Sequence, residues 1–182
     1  MRKGASHPST LIYQNFIIDS FLELMESKQI SNITITELCE HAKISRRTFY
    51  RHFSSKEAII LCYIDSLMKS LTKELCTSIK EDDLHSFALT FFRFFQPLQS
   101  QIHAIQFSGF GDQLFTGYLQ CILPILHSPA NHMIASDSQN TTYQDTDCKI
   151  AYMMGGIWSL LMHWMSRGCK QTPEQLADFV HS

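Results

Sequence analysis

The sequence predicts an all-α fold of about nine helices, in which a three-helix domain with a helix-turn-helix (residues 1–54) precedes a larger helical domain (residues 55–182). Three observations carry that expectation. Apolar residues recur at spacings of three and four along most of the chain, the period of one helix face. Capping boxes at Thr34/Glu37, Ser54/Glu57 and Thr172/Gln175 mark helix starts. Between the first two boxes, two short helical stretches are joined by a turn of a few residues.

The first helix is expected from between Ser6 and Thr10 to about Ser27, with Tyr13, Ile17, Phe21 and Leu24 as its apolar stripe. Arg2 and Lys3 ahead of it form a short basic arm. Thr34 opens the second helix, through Leu38, Cys39 and Ala42, and Lys43-Ile44 is the turn. Ser45 caps the third helix, Arg46 to about His52. The Ser54 box then opens a long helix reaching about Ile79, striped by Ile60, Ile64, Leu67, Leu71 and Leu75. It is long enough to act as a lever out of the head.

An acidic break follows at Glu81-Asp82-Asp83, then an aromatic helix carrying Phe87, Phe91, Phe92, Phe94 and Phe95. Pro97 breaks it, because the residue before a proline avoids helical angles. A helix through Ile102 and Ile105 stops near Gly109, and another spans Leu114 to Leu126, kinked or ended early by Pro124. His127 to Thr142 reads as a loop. Tyr143 to Gly168 reads as a helix apolar nearly all round, and so buried on more than one side. Its Gly155-Gly156 pair costs about 1 kcal/mol per glycine, tolerable where another backbone approaches closely. The Thr172 box, with Pro173 at the first helical position, opens the last helix through Leu176, Phe179 and Val180.

Composition excludes several classes. With 45% hydrophobic and 18% charged residues in 182, the chain can bury a substantial core. No apolar run is long enough for a membrane span. MRKGASHPST has no apolar core before Leu11 and does not read as a secretory leader. The six cysteines (39, 62, 76, 121, 148, 169) form no C-x-x-C pair, which argues against zinc and a disulfide framework and fits a reduced cytoplasm. His127 and His132 are read as surface histidines, and no metal or cofactor is expected. Gly109-Phe-Gly111 follows no strand and is not a dinucleotide loop. With no nucleophile elbow, P-loop, H-E-x-x-H or paired carboxylates on one helical face, an enzyme is not the reading.

Charge is distributed unevenly. Residues 1–60 carry eight Lys/Arg and six Asp/Glu, a balance of +2, while residues 61–182 carry seven and eleven, a balance of −4. Five basic residues and no acidic one lie between Lys43 and Lys56. On the third helix, Phe49 and Phe53 fall on one side and Arg47 and Arg51 on the other, flanked by Thr48 and Tyr50. Two arginines four apart repel by about 0.2–0.5 kcal/mol in an isolated helix. A basic run alone is most simply a solvated face. Its coincidence with caps, turn spacing and aromatic anchors points to phosphate and to the DNA major groove.

ITITELCEHAKISRRTFYRHFSSKEAI, within roughly residues 10–60, resembles the DNA-binding signature of the tetracycline-repressor (TetR) family. The resemblance implies a homodimer, usually a repressor, on a palindromic operator, with a helical effector-binding and dimerisation domain. By position it puts Thr36, Ser45, Arg46, Arg47, Thr48, Tyr50, Arg51, His52 and Lys56 on DNA, with Tyr50, His52 and Lys56 on phosphate. Lys43 stands where many members have glycine, and left-handed backbone there would cost a lysine roughly 1 kcal/mol. In the larger domain, Phe91, Phe95, Phe115, Tyr118, Met154 and Trp158 are the candidate lining for a mostly apolar effector. Ile157, Leu161, Trp164, Leu176 and Phe179 are the candidate dimer interface, the last two long helices of the family forming a four-helix bundle with a partner. The stretch GGIWSLLMHWMSRGCKQTPEQLADF resembles the C-terminal region of a subgroup from low-GC Gram-positive bacteria. The second reading is a co-regulator of the same fold that acts through protein–protein contacts without binding DNA.

Overall fold

The computed structural model describes residues 8–78, 84–127 and 143–181. The basic arm at Arg2 and Lys3, the acidic break at 81–83 and the loop at 128–142, including His132, lie outside the described residues. The described backbone is α1 (Pro8–Ser27), α2 (Ile35–His41), α3 (Arg46–His52), α4 (Lys56–Ser78), α5 (Leu84–Phe95), α6 (Gln99–Ile105), α7 (Gly111–Leu126), α8 (Tyr143–Ser166) and α9 (Pro173–His181). The fold is all-α, as the periodicity predicts. Short 3₁₀ turns occupy Ile30–Asn32 and Gln96–Leu98, and a wider π-type turn at Gln106–Phe110 links α6 to α7. That turn needs Gly109, whose φ of 87° is closed to most side chains. Pro124 sits inside α7, which runs on to Leu126.

The caps explain why these helices start where they do. The Thr34 hydroxyl accepts from the Glu37 N–H at 3.1 Å, and the Ser45 hydroxyl accepts from the Thr48 N–H at 3.0 Å. Thr172 and Gln175 form a reciprocal box, Thr172 N–H to Gln175 Oε1 at 3.0 Å and Gln175 N–H to the Thr172 hydroxyl at 3.3 Å. The start of α4 differs from expectation by one residue. Ser55, rather than Ser54, accepts from the Ala58 N–H at 3.3 Å, so the helix begins at Lys56.

The chain gathers into two compact units. The first comprises the chain up to Asp65 together with Ser100–Gln113, and the second comprises Ser66–Gln99 and Leu114 onward. The division falls within α4, whereas the motif suggested one at 54/55. α6 belongs with the helix-turn-helix because Ile105 shares an apolar crevice with Ile18, Phe21 and Met25 of α1 and Ile59 and Ile60 of α4. Lys28 pairs with Glu37, and His41 Nε2 lies 2.8 Å from Glu23 Oε2, tying α1 to α2 at the surface.

In the second unit, α5 puts Phe87, Phe91, Phe92 and Phe95 fully into the core. It lies beside α9, and the two are joined at the rim by the Arg93 guanidinium donating twice to Glu174 (3.1 and 2.7 Å) and by His85 at 3.0 Å from Asp178. Trp164 meets Phe92 edge-on at 5.8 Å, and its indole N–H donates to the Gln171 carbonyl at 3.0 Å. α8 ends where Gly168 (φ 77°) and Cys169 (φ 50°) turn left-handed.

This packing bears on the residues expected at a dimer interface. Ile157, Leu161, Trp164 and Leu176 are buried inside the protomer, and of the five candidates only Phe179, 68% exposed, remains at the surface. The apolar girth of α8 needed more than one neighbour, and α5 and α7 of the same chain supply aromatic ones. Leu161→Asp would therefore place an unpaired charge in a sealed core, and should destabilise by more than about 4 kcal/mol. Circular dichroism melts should show the second unit lost. A well-folded monomer would contradict this placement.

Candidate nucleic-acid interface

The face begins with α3. Phe49 is completely buried and Phe53, at the helix C-cap, nearly so. Anchoring that side turns Arg46, Arg47, Tyr50 and Arg51 outward, and all four are exposed. Residues 43–56 contain no carboxylate, so no acidic side chain within that stretch neutralises these guanidinium groups. Lys43, also exposed, occupies the turn with φ 50°, the left-handed geometry that glycine would adopt more easily. The turn is closed by the Lys43 N–H on the Glu40 carbonyl (3.2 Å) and the Ile44 N–H on the Cys39 carbonyl (2.9 Å).

The remaining candidates divide into exposed and occupied side chains. Thr36, in the first turn of α2, is exposed. Ser45 is exposed but engaged as the α3 cap, and its hydroxyl also lies 2.9 Å from the Thr48 hydroxyl. Ser45 and Thr48 are thus bonded to each other. His52 faces inward: its ring stacks on Tyr13 of α1, with centroids 5.7 Å apart and planes at 22°. Among the described residues, neither of its buried ring nitrogens has a hydrogen-bond partner. Burial, with the neighbouring Arg51 charge adding to it, pushes the His52 pKa below the ordinary histidine value, so the ring is neutral at neutral pH. The phosphate contact expected of His52 therefore has no free, outward-facing nitrogen in this conformation. Lys56 departs further. Its ammonium donates to the carbonyls of Ile30, Ser31 and Ile33 at 2.8, 2.9 and 3.1 Å, which uses all three of its donors. Of the three residues expected on phosphate, only Tyr50 presents its side chain outward.

In the second unit, the six residues expected to line an effector site do come together. Tyr118 stacks on Trp158 at 4.9 Å, Phe115 lies 5.5 Å from Trp158, Phe91 lies 5.3 Å from Tyr118, and Phe95 meets Trp158 edge-on at 6.3 Å. The Tyr118 hydroxyl donates to the Met154 carbonyl at 3.3 Å and also approaches its sulfur at 3.2 Å. Burial raises the pKa of that phenol, so it stays protonated. The rings pack on one another. His127, read as a surface histidine, lies 3.1 Å from Asp147.

Sequence periodicity missed the outward face of α8. Tyr152, Gly156, Ser159 and His163 follow spacings of four, three and four and are all exposed, Tyr152 by 83%. Among the described residues, a Cβ added at Gly155 or Gly156 would meet nothing within 4 Å. In the sequence this face is marked only by the glycine pair, beside a heavier apolar stripe.

Comparison with known proteins bears on the same residues. Residues 17–61 match the family model described as "Bacterial regulatory proteins, tetR family". The HTH-type transcriptional regulator EthR of Mycolicibacterium smegmatis is 43% identical over 67 residues, 37% of this chain and 31% of EthR, so the aligned stretch spans less than a third of that relative's length. Among solved structures, the dihydroxyacetone kinase operon activator DhaS superposes with a TM-score of 0.70 at 18% identity, over 93% of this chain and 92% of DhaS. The fatty acid degradation regulator FadR from Bacillus halodurans gives 0.69 at 14% identity, over 100% and 95%. At those identities the two structures show a shared fold. No helix among the described residues is long and apolar enough to cross a membrane. The capped α2, the left-handed turn and the basic α3 all fall inside the segment that matches the tetR family model, so this segment of the chain is similar to the DNA-binding domain of those regulators.

Proposed function

We propose that the chain is a DNA-binding transcriptional regulator that acts as a homodimer on a two-fold symmetric operator. One observation carries the reading: α3 holds Arg46, Arg47, Tyr50 and Arg51 outward from a buried Phe49, with no acidic side chain between residues 43 and 56. A helix so anchored suits the major groove, where arginine reads guanine through two hydrogen bonds. Repression is the sign the resemblance implies. DhaS, which shares the fold, is named an activator, and a promoter fusion read with and without the protein decides between the two signs. The aromatic cluster around Trp158 is the proposed point of action for an apolar effector, which would have to part the Tyr118–Trp158 stack to enter.

The proposed dimer surface is the outward face of α8. Consecutive glycines weaken a helix interior by about 1 kcal/mol each. Among the described residues nothing lies within 4 Å of a Cβ added at either glycine, whereas the backbone of a second copy would fill that space. Tyr152 on this face, and the exposed Phe179 of α9, supply apolar area.

Two outcomes are expected. Arg47→Ala should cost about 1–3 kcal/mol on duplexes selected from a random pool and relax preference at one base position per half-site. Binding to selected and scrambled duplexes measures this, and unchanged base preference would count against α3 as the reading helix. Gly156→Leu should leave the melt within about 1 kcal/mol of wild type, since the added side chain enters open space and leucine favours helix. It should also weaken self-association by tenfold or more in sedimentation. An unaltered dimer would place the interface elsewhere.

A further inference from the structure

Lys56 is the first residue of α4, three residues beyond the α3 C-cap at Phe53. Its ammonium reaches back 23 to 26 residues along the chain to the carbonyls of Ile33, Ser31 and Ile30. Those carbonyls belong to the 3₁₀ turn Ile30–Asn32 and the residue after it, the segment that decides where α2 starts. In that turn the Asn32 N–H donates to Gln29 at 2.9 Å and the Ile33 N–H to Ile30 at 3.2 Å. Thr34 then caps α2. The Ile30 and Ile33 side chains are buried, so the turn is held by the core on one side and by the ammonium on its carbonyls. α3 is fixed at its start by Ser45 and along its length by Phe49. The remaining freedom of the motif is the placement of α2 relative to the start of α4, and this is where the lysine acts.

We infer that Lys56 is a positioning residue of the helix-turn-helix, its ammonium tying the start of α4 to the turn that leads into α2. The side-chain type fits the task. A tetrahedral ammonium directs three donors along diverging lines to three separate carbonyls, whereas the flat guanidinium of arginine presents paired donors in one plane, a shape suited to carboxylate or phosphate. A lysine acting as a plain phosphate contact would tolerate arginine. A lysine acting as a three-point clamp would not.

The inference deepens the DNA-binding reading, and its test has one arm independent of that reading. The full chain is prepared as wild type, Lys56→Met and Lys56→Arg. In DNA-free protein, amide hydrogen exchange should quicken at Asn32, Ile33 and Glu37 by about tenfold or more in both variants, the scale of losing hydrogen bonds to a charged group. Amides within α5 should be unaffected. On selected duplexes across a salt series, both variants should bind about tenfold more weakly, while the slope of log affinity on log salt stays within about half a unit of wild type. Rescue of binding by arginine, a slope reduced by about one per head in the Met variant, and unchanged exchange at 32–37 would together overturn the clamp and return Lys56 to phosphate. If the Met variant does not fold, the Arg variant decides by the same two readings. If wild type binds no DNA, the proposed function fails, and the exchange arm still decides the role of Lys56.

Discussion

A helix of seven residues cannot hold itself together in water, because nucleation costs more than so few hydrogen bonds return. α3 is such a helix, and it persists because Phe49 is entirely enclosed in the first unit. The remaining features of the face depend on that burial. It selects which side of α3 meets solvent, sets the arginines at its rim, and gives Ser45 a fixed N–H to cap. Ala42 and Leu38, also buried, do the same for α2, so the turn between them has little room to vary. The exposed chemistry of the head thus results from apolar burial beneath it.

The second unit rests on aromatic packing of another kind. Four phenylalanines of α5 and two tryptophans of α8 meet mostly edge to face, the arrangement ring quadrupoles favour. This core absorbs residues that, on the sequence alone, were candidates for two different surfaces. Four of the five side chains expected at a partner interface fill the protomer, and those expected around a ligand contact one another. A stripe of large apolar residues reports only that something must cover it; whether the cover comes from the same chain or another is settled by helices distant in sequence.

Legibility follows the same division between near and far. Thr34, Ser45 and the Thr172/Gln175 box were readable because a cap and its donor lie three residues apart, and the turn at Lys43 because its strain is local. Even there, Ser54 and Ser55 are chemically alike, and only the backbone could decide which hydroxyl meets the Ala58 N–H. The basic face of α3 was readable because helical phase alone opposes arginine to phenylalanine. Lys56 was not, since its partners lie 23 to 26 residues upstream and are peptide carbonyls, which leave no mark in side-chain spelling. The surroundings of His52 were hidden for the same reason. Its stacking partner Tyr13 belongs to another helix, and α1 periodicity marks Tyr13 as core although it is 43% exposed.

Lys43 has a consequence of its own. Its φ of 50° is a conformation in which a residue with a Cβ gives up roughly 1 kcal/mol that glycine keeps. Glycine would relieve the backbone and delete one positive charge from an exposed loop beside α3. Folding stability and surface potential are therefore set against each other at a single residue. The head's resistance to heat and its long-range pull on a polyanion cannot both be raised by changing that position, so any gain in thermal tolerance that leaves the pull intact has to come from the buried side of the motif.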